Sequence, residues 1–215
     1  MDAPNCIFEV DDLLQEWTWN EPFDYIFIRH LIGSFDKEGW ETLYRQCYEN
    51  LEPGGWIEQL EFDIRVHSDD KSLPPDSELA SWGENFIGCG DRAQRSLAVQ
   101  ETTRASIEKA GFVDVHEVPM GAWPRDKVLK EIGQLNHHHW ATDMKGCSMW
   151  LPTKFVCRRP GFLGGKVYMT KVRNELKNHH YHIYEFGKVS CPPQNNYIVN
   201  WSTADVKPRE DEVKR

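Results

Sequence analysis

The stretch Leu51-Glu52-Pro53-Gly54-Gly55-Trp56 constrains the fold of this chain most, because it ends one kind of element and begins another. Before it, Trp40, Leu43, Tyr44, Cys47, Tyr48 and Leu51 recur at helical spacing, which predicts an amphipathic helix over Lys37 to Leu51. Proline presets one backbone dihedral and the glycines allow positive ones, so a tight reversal is expected there. After it, Trp56 to Ile64 reads as a strand. Upstream, Phe23 to Arg29 is nearly continuous in aromatic and branched residues, as a central strand buried on both faces is. Strand, helix, turn and strand in this order predict an α/β sheet with helices on its faces.

The rest of the chain extends the pattern. Cys6 to Val10 is a short apolar run ended by Asp11 and Asp12, and it reads as a strand with an acidic tip. His67 to Ser77 holds Pro74-Pro75 and is a loop, Glu78 to Phe86 and Ala98 to Ala110 are helical, and Gly111 caps the second of these. Phe112 to Val118 alternates apolar with polar as a half-solvated strand does, and a helix follows over Lys127 to Asn136. Val167 to Leu176 is expected as a helix and His180 to Val189 as a last strand, while Cys157 to Gly165 shows no periodicity. Beyond Ser190 the sequence is polar and proline-marked, so one domain over 1–189 and a disordered tail over 190–215 are expected.

Charge and cysteine usage narrow the classes of partner. With 34 acidic against 25 basic residues the formal charge is −9, the wrong sign for holding a phosphate backbone, so nucleic acid is not expected as a partner. The six cysteines are scattered without a C-x-x-C pair, which fits a reducing compartment. Met1 to Glu9 is neither basic nor followed by a long apolar stretch, so no signal peptide or membrane anchor is expected. These features predict a soluble intracellular protein, cytoplasmic or nuclear. His137-His138-His139 and the group His179, His180 and His182 are poor metal sites, since consecutive side chains point in different directions. No metal is expected. The nine tryptophans, Trp82, Trp123 and Trp140 among them, are read as core or pocket wall.

Taken together, several segments resemble the LaeA-like methyltransferases of filamentous fungi, a branch of the class I S-adenosylmethionine-dependent methyltransferases. The carrying residues are Pro4 to Asp12, Phe23-Asp24-Tyr25-Ile26 with Arg29, Gly33-Ser34-Phe35, Tyr48 to Trp56, and Leu73-Pro74-Pro75-Asp76-Ser77. Ala110-Gly111-Phe112 and Gly121-Ala122-Trp123-Pro124 extend the match, which weakens between Leu151 and Lys166. The resemblance implies an α/β, Rossmann-like class I methyltransferase sheet that moves a methyl group from S-adenosylmethionine to a small secondary metabolite. The alternative it implies is a non-catalytic regulator of secondary metabolism acting through protein partners in a regulatory complex.

The resemblance also implies site residues. Asp12 is expected to accept from the exocyclic amine of the cofactor's adenine, with the Leu13 backbone amide facing a ring nitrogen. Arg29 and His30, leaving the strand, are expected beside the cofactor's methionine part and the acceptor, at the carboxyl end of the sheet. One of His137 to His139 is a further candidate as base toward the acceptor. The family's first strands, ending in a glycine-rich cofactor loop, have no counterpart ahead of Pro4, so an N-terminally truncated sheet with impaired cofactor binding is expected. With those strands absent, Cys6 to Val10 is expected to pair directly with Phe23 to Arg29 and to draw Asp11 and Asp12 away from any adenine site; the alternative is an open apolar edge on Phe23 to Arg29 that lowers solubility or recruits a partner strand.

Overall fold

The computed structural model describes residues 5–120, 135, 138, 142, 165–178, 180–184, 187–191 and 202–206. Its first unit is the one that the helix-breaking stretch announces: strand β1 (Phe23–Arg29), helix α1 (Lys37–Glu49) and strand β2 (Leu51–Phe62), with β1 and β2 parallel. Helix α1 begins where Asp36 accepts a hydrogen bond from the Gly39 N–H at 2.8 Å, which satisfies one of the unpaired donors of the first turn. Its face carrying Trp40, Leu43, Tyr44 and Cys47 is buried. At its end, Asn50 returns both its backbone and side-chain N–H groups to the Gln46 carbonyl.

The Pro-Gly-Gly stretch lies within β2, where it forms an excursion. Phe23 pairs with Leu51 and Tyr25 with Trp56, so two residues of β1 match five of β2, and Glu52 to Gly55 are looped out between them. Gly55 tolerates no side chain here, since a Cβ would lie 2.9 Å from the Glu52 carbonyl oxygen and 3.1 Å from that of Asp24.

Beyond β2 come helix α2 (Trp82–Arg92), a short 3-10 turn (Val99–Glu101), helix α3 (Thr103–Ala110), strand β3 (Val118–Met120), helix α4 (Gly165–Leu176), and strands β4 (Gly187–Cys191) and β5 (Ser202–Val206). The sheet order is β1-β2-β5-β4-β3. The long strand β2 meets two antiparallel partners in turn, β5 along Trp56 to Glu58 and β4 along Leu60 to Phe62. Strand β5 falls inside the segment expected as a tail. The fold is therefore mixed α/β, with a parallel β-α-β unit extended by antiparallel strands.

Two apolar cores form. The first joins β1, β2, α1 and α3 through Ile28, Leu43, Tyr44, Ile57, Ile107 and Phe112. The second joins α2 and α4 through Trp82, Phe86, Leu97, Tyr168 and Val172. Ile32, in the loop after β1, packs against both. Arg65 ties the end of β2 to the helices, with Asp63 at 3.3 Å, Glu84 at 2.6 Å and Glu101 at 2.8 Å.

Three expectations are corrected. Strand β1 is not buried on both faces: Ile28 is buried and Ile26 half-buried, whereas Tyr25 and Phe27 are 48% and 47% exposed. Among the described residues it is also an edge strand, paired with β2 alone. Second, Cys6 to Val10 does not pair with it. That segment has no strand, and Ile7, Phe8 and Val10 are almost fully exposed. The next residues are held elsewhere, because the Leu13 carbonyl accepts from Gln46 Nε2 at 2.8 Å and the Trp17 N–H donates to Gln46 Oε1 at 3.2 Å, which ties the chain to α1. Third, Phe112 to Glu117 is not a strand. Gly111 and Asp114 both have positive φ, +112° and +58°, and the extended run is broken, so Phe112 and Val115 face the core at a spacing of three.

The helix expected over Lys127 to Asn136 and the aperiodic stretch from Cys157 lie largely outside the described residues, as do His137, His139 and His179. His138 is exposed. Among the described residues no helix is long and apolar enough to cross a membrane, and no cluster of metal-binding side chains occurs.

Candidate functional site

At the carboxyl end of β1 the chain turns sharply. His30 takes a left-handed conformation, φ 57°, and its N–H donates to the Leu60 carbonyl at 3.1 Å, continuing the register of β1 on β2 for one more residue. Its ring meets that of Phe62 edge-on, centroids 4.9 Å apart. The two following amides then point at one carboxylate: Leu31 N–H donates to Glu61 Oε1 at 2.9 Å and Ile32 N–H to Glu61 Oε2 at 3.2 Å. Gly33, also left-handed with φ 74°, closes the turn, and its N–H donates to the Ser96 carbonyl at 3.3 Å. Arg95 donates to the carbonyl of Ser34. The turn is thus held by β2, by a buried acid and by the segment after α2.

Glu61 is 2% exposed and lies on the β2 face that carries Ile57 and Gln59. Burial pushes its carboxyl up to about 7, against the pull of the Leu31 and Ile32 amides and of Gln59. Beneath it the Tyr44 hydroxyl donates to Gln59 Oε1 at 2.8 Å, and burial raises the Tyr44 phenol as well. The sequence held a signal for this group: Glu61 stands four residues after Ile57, and alternation places both on one face. That face reads as the more polar of the two, so nothing in the pattern alone marks it as the buried one.

The structure places the other predicted residues as follows. Asp12 is exposed, and its Oδ1 accepts from the Leu14 N–H at 3.0 Å, which closes a small turn. Leu13 packs against the first core. Leu14 reaches the first turn of α1, its Cδ1 being 3.4 Å from where a Cβ on Gly39 would sit. The acidic turn therefore lies along α1, whose N-terminal end follows the β1 turn. Arg29 is exposed at the last position of β1, next to His30. A shallow depression bordered by Arg104, Glu108 and His116 lies on the α3 side and includes none of these residues.

No family model matches the chain. Among curated proteins, methyltransferase pytC of Aspergillus terreus is 32% identical over 187 residues, covering 85% of this chain and 56% of pytC. The secondary metabolism regulator LAE1 of Cochliobolus heterostrophus is 40% identical over 138 residues, 61% of this chain and 44% of that protein. This chain is thus similar both to fungal methyltransferases and to LaeA-type regulators of secondary metabolism. It spans about half the length of the curated relatives it matches. Among solved structures, a phosphoethanolamine N-methyltransferase 2 of Haemonchus contortus aligns with a TM-score of 0.46 at 18% identity, over 93% of this chain and 37% of that one.

The fit of the described residues to a nucleoside cofactor is uneven. The exposed Asp12 carboxylate, expected from the resemblance to meet an adenine amine, has acceptor capacity beyond its bond to Leu14. The described glycines with positive φ, which a methionine-side cradle would need, are engaged in packing or turns. A Cβ on Gly33 would strike Leu97 Cδ2 at 2.7 Å, one on Gly111 would meet the Tyr48 ring at 3.0 Å, and Gly54 belongs to the β2 excursion. None of them forms an open cradle.

Proposed function

We propose that this chain carries the adenine side and the acceptor side of an S-adenosylmethionine-dependent methyltransferase acting on a small secondary metabolite. The observation that carries the reading is the similarity to methyltransferase pytC, at 32% identity across 85% of the chain. The cofactor supplies an activated methyl group on a sulfonium centre, and the protein's task is to hold donor and acceptor in line. Asp12 accepts from the adenine amine and discriminates against rings that offer only acceptors there. The Leu13 amide faces a ring nitrogen. Arg29 and His30 stand at the carboxyl end of the parallel pair, where open α/β sheets receive ligands.

A second reading follows from a separate observation, the 40% identity to a protein named as a secondary metabolism regulator. In that reading the fold is kept as a platform for protein partners, and no methyl transfer occurs.

The experiment is an NMR titration of isotopically labelled chain with S-adenosylhomocysteine up to millimolar concentration, a range that detects weak binding. Methyltransferase descent with a working seat predicts shifts at the amides of Asp12 to Leu14 and of Arg29 to Ile32. Asp12→Ala weakens the interaction by about 1–3 kcal/mol through a lost hydrogen bond, and the shifts then vanish over the same range. An unchanged spectrum of the unsubstituted chain at millimolar ligand favours the regulator, and unchanged affinity in Asp12→Ala removes Asp12 from the site.

A further inference from the structure

The turn after β1 contains a small anion cradle already filled from within. A left-handed residue followed by two amides aimed at one point is the arrangement that binds anions in nests. Here His30 supplies the left-handed conformation, Leu31 and Ile32 supply the N–H groups, and the anion is the side chain of Glu61. The carboxylate is inaccessible to solvent, so it is not itself a contact for a ligand. Its position decides what the exposed Arg29 and His30 side chains present, because both precede the clamped amides directly. Ile32, the second clamped residue, reaches both apolar cores, so the same carboxylate fixes where they join.

We propose that Glu61 is the positioning residue of this site: its carboxylate locks the turn from Arg29 to Gly33 in the conformation that faces the ligand. The ligand-facing part of this statement rests on the methyltransferase reading, whereas the lock itself does not. An ionised carboxylate can accept from both amides at once, one on each oxygen. A protonated one carries a hydrogen on one oxygen and is a weaker acceptor, so the lock loosens as Glu61 gains its proton. The groups that face Glu61 are Gln59 on β2, the Tyr44 phenol from α1, and the Leu31 and Ile32 amides that follow Arg29 and His30. Beyond the end of β2, Asp63 pairs with Arg65 and His67. With the carboxyl lifted to about 7, loosening falls in the window just below neutral pH.

The test follows the Leu31 and Ile32 amide protons and the Glu61 carboxyl carbon by NMR from pH 5.5 to 8.5. All three are expected to titrate with one shared midpoint near neutrality, both amide protons moving downfield as pH rises. In Glu61→Gln that amide titration disappears, which separates it from any effect of the neighbouring His30 imidazole. Amides that stay still while the Glu61 carbon titrates, or that titrate unchanged in Glu61→Gln, overturn the proposal. Should Glu61→Gln fail to fold, the shared or unshared midpoint in the unsubstituted chain decides alone. In a second arm, S-adenosylhomocysteine is titrated at pH 8 and pH 6. Affinity is expected to fall several-fold at the lower pH in the unsubstituted chain and to become pH-independent in Glu61→Gln. Binding that is equally tight at both pH values counts against the positioning role. Failure to bind at either pH overturns the ligand-facing part of the proposal for this chain, and the amide titration still judges the lock.

Discussion

Glu61 is buried, and its ionised form is carried into the fold at a cost. The folded protein binds the Glu61 proton more tightly than the unfolded chain does, since the carboxyl moves from 4.5 to about 7. The sign follows from linkage: stability contributed by this group is fully present below 4.5 and is lost as pH rises toward 7, then levels off. A shift of that size corresponds to about 3 kcal/mol between the two plateaus. Other groups titrate across the same range, so the measurement is a difference. Chemical denaturation of the unsubstituted chain and of Glu61→Gln at pH 5 and at pH 8 is expected to show the stability gap moving in favour of Glu61→Gln at the higher pH. A gap that does not change with pH shows that Glu61 is not desolvated.

At the scale of elements, the β1 turn is the joint on which the candidate site depends, and Gly33 is its tightest point. Its φ of 74° is one that side-chain-bearing residues rarely adopt, and the missing Cβ leaves space that Leu97 Cδ2 uses at 2.7 Å. Gly33→Ala is expected to destabilise the fold by about 1–3 kcal/mol through backbone strain and overpacking combined. The amides of Leu31 and Ile32, two residues or fewer away, are expected to lose hydrogen-exchange protection in that variant. A variant as stable as the parent, with those amides still protected, means that the turn tolerates a different backbone. The β2 excursion shows how local chemistry and pairing combine: Pro53, Gly54 and Gly55 permit the loop, and the pairing of Leu51 with Phe23 and of Trp56 with Tyr25 requires it.

At the scale of the molecule, two cores share Ile32. Additional ties come from the Glu175 carboxylate, which accepts from the Leu79 N–H at 2.8 Å, and from the Tyr168 hydroxyl, which donates to the Glu78 carbonyl at 3.2 Å. Both of these lie around the second core, whereas Ile32 packs against both cores and Arg65 ties the end of β2 to Glu84 and Glu101. Val172→Ala, at a fully buried position of α4, is expected to cost about 2 kcal/mol and to speed hydrogen exchange in α2 and α4 while leaving α1 protected. Ile32→Ala is expected to speed exchange in α1 and α2 together. Equal loss of protection throughout the chain in both variants shows a single cooperative unit in place of two joined ones.

Much of the first unit was legible in the sequence because its signals are local. The period of Trp40, Leu43, Tyr44 and Cys47 specifies which helix face is buried, and the β-branched and aromatic run of Phe23 to Arg29 specifies a strand. Family resemblance rests on the same short segments, and the similarity to pytC and LAE1 agrees with it. What only the tertiary structure decided depends on which surfaces meet. An apolar strand reads the same whether two faces are covered or one, so the edge position of β1 was invisible in its own residues. The apolar run Cys6 to Val10 has strand composition, yet its neighbours Leu13 and Trp17 are bound to Gln46 on α1 and it stays unpaired. Glu61 is a charged residue on an alternating strand, a pattern that ordinarily marks a solvated face. Only the docking of α1 and the turn of β1 over that face convert it into a buried carboxylate with two amide partners, because burial and hydrogen-bond geometry belong to the assembled fold and not to any one segment.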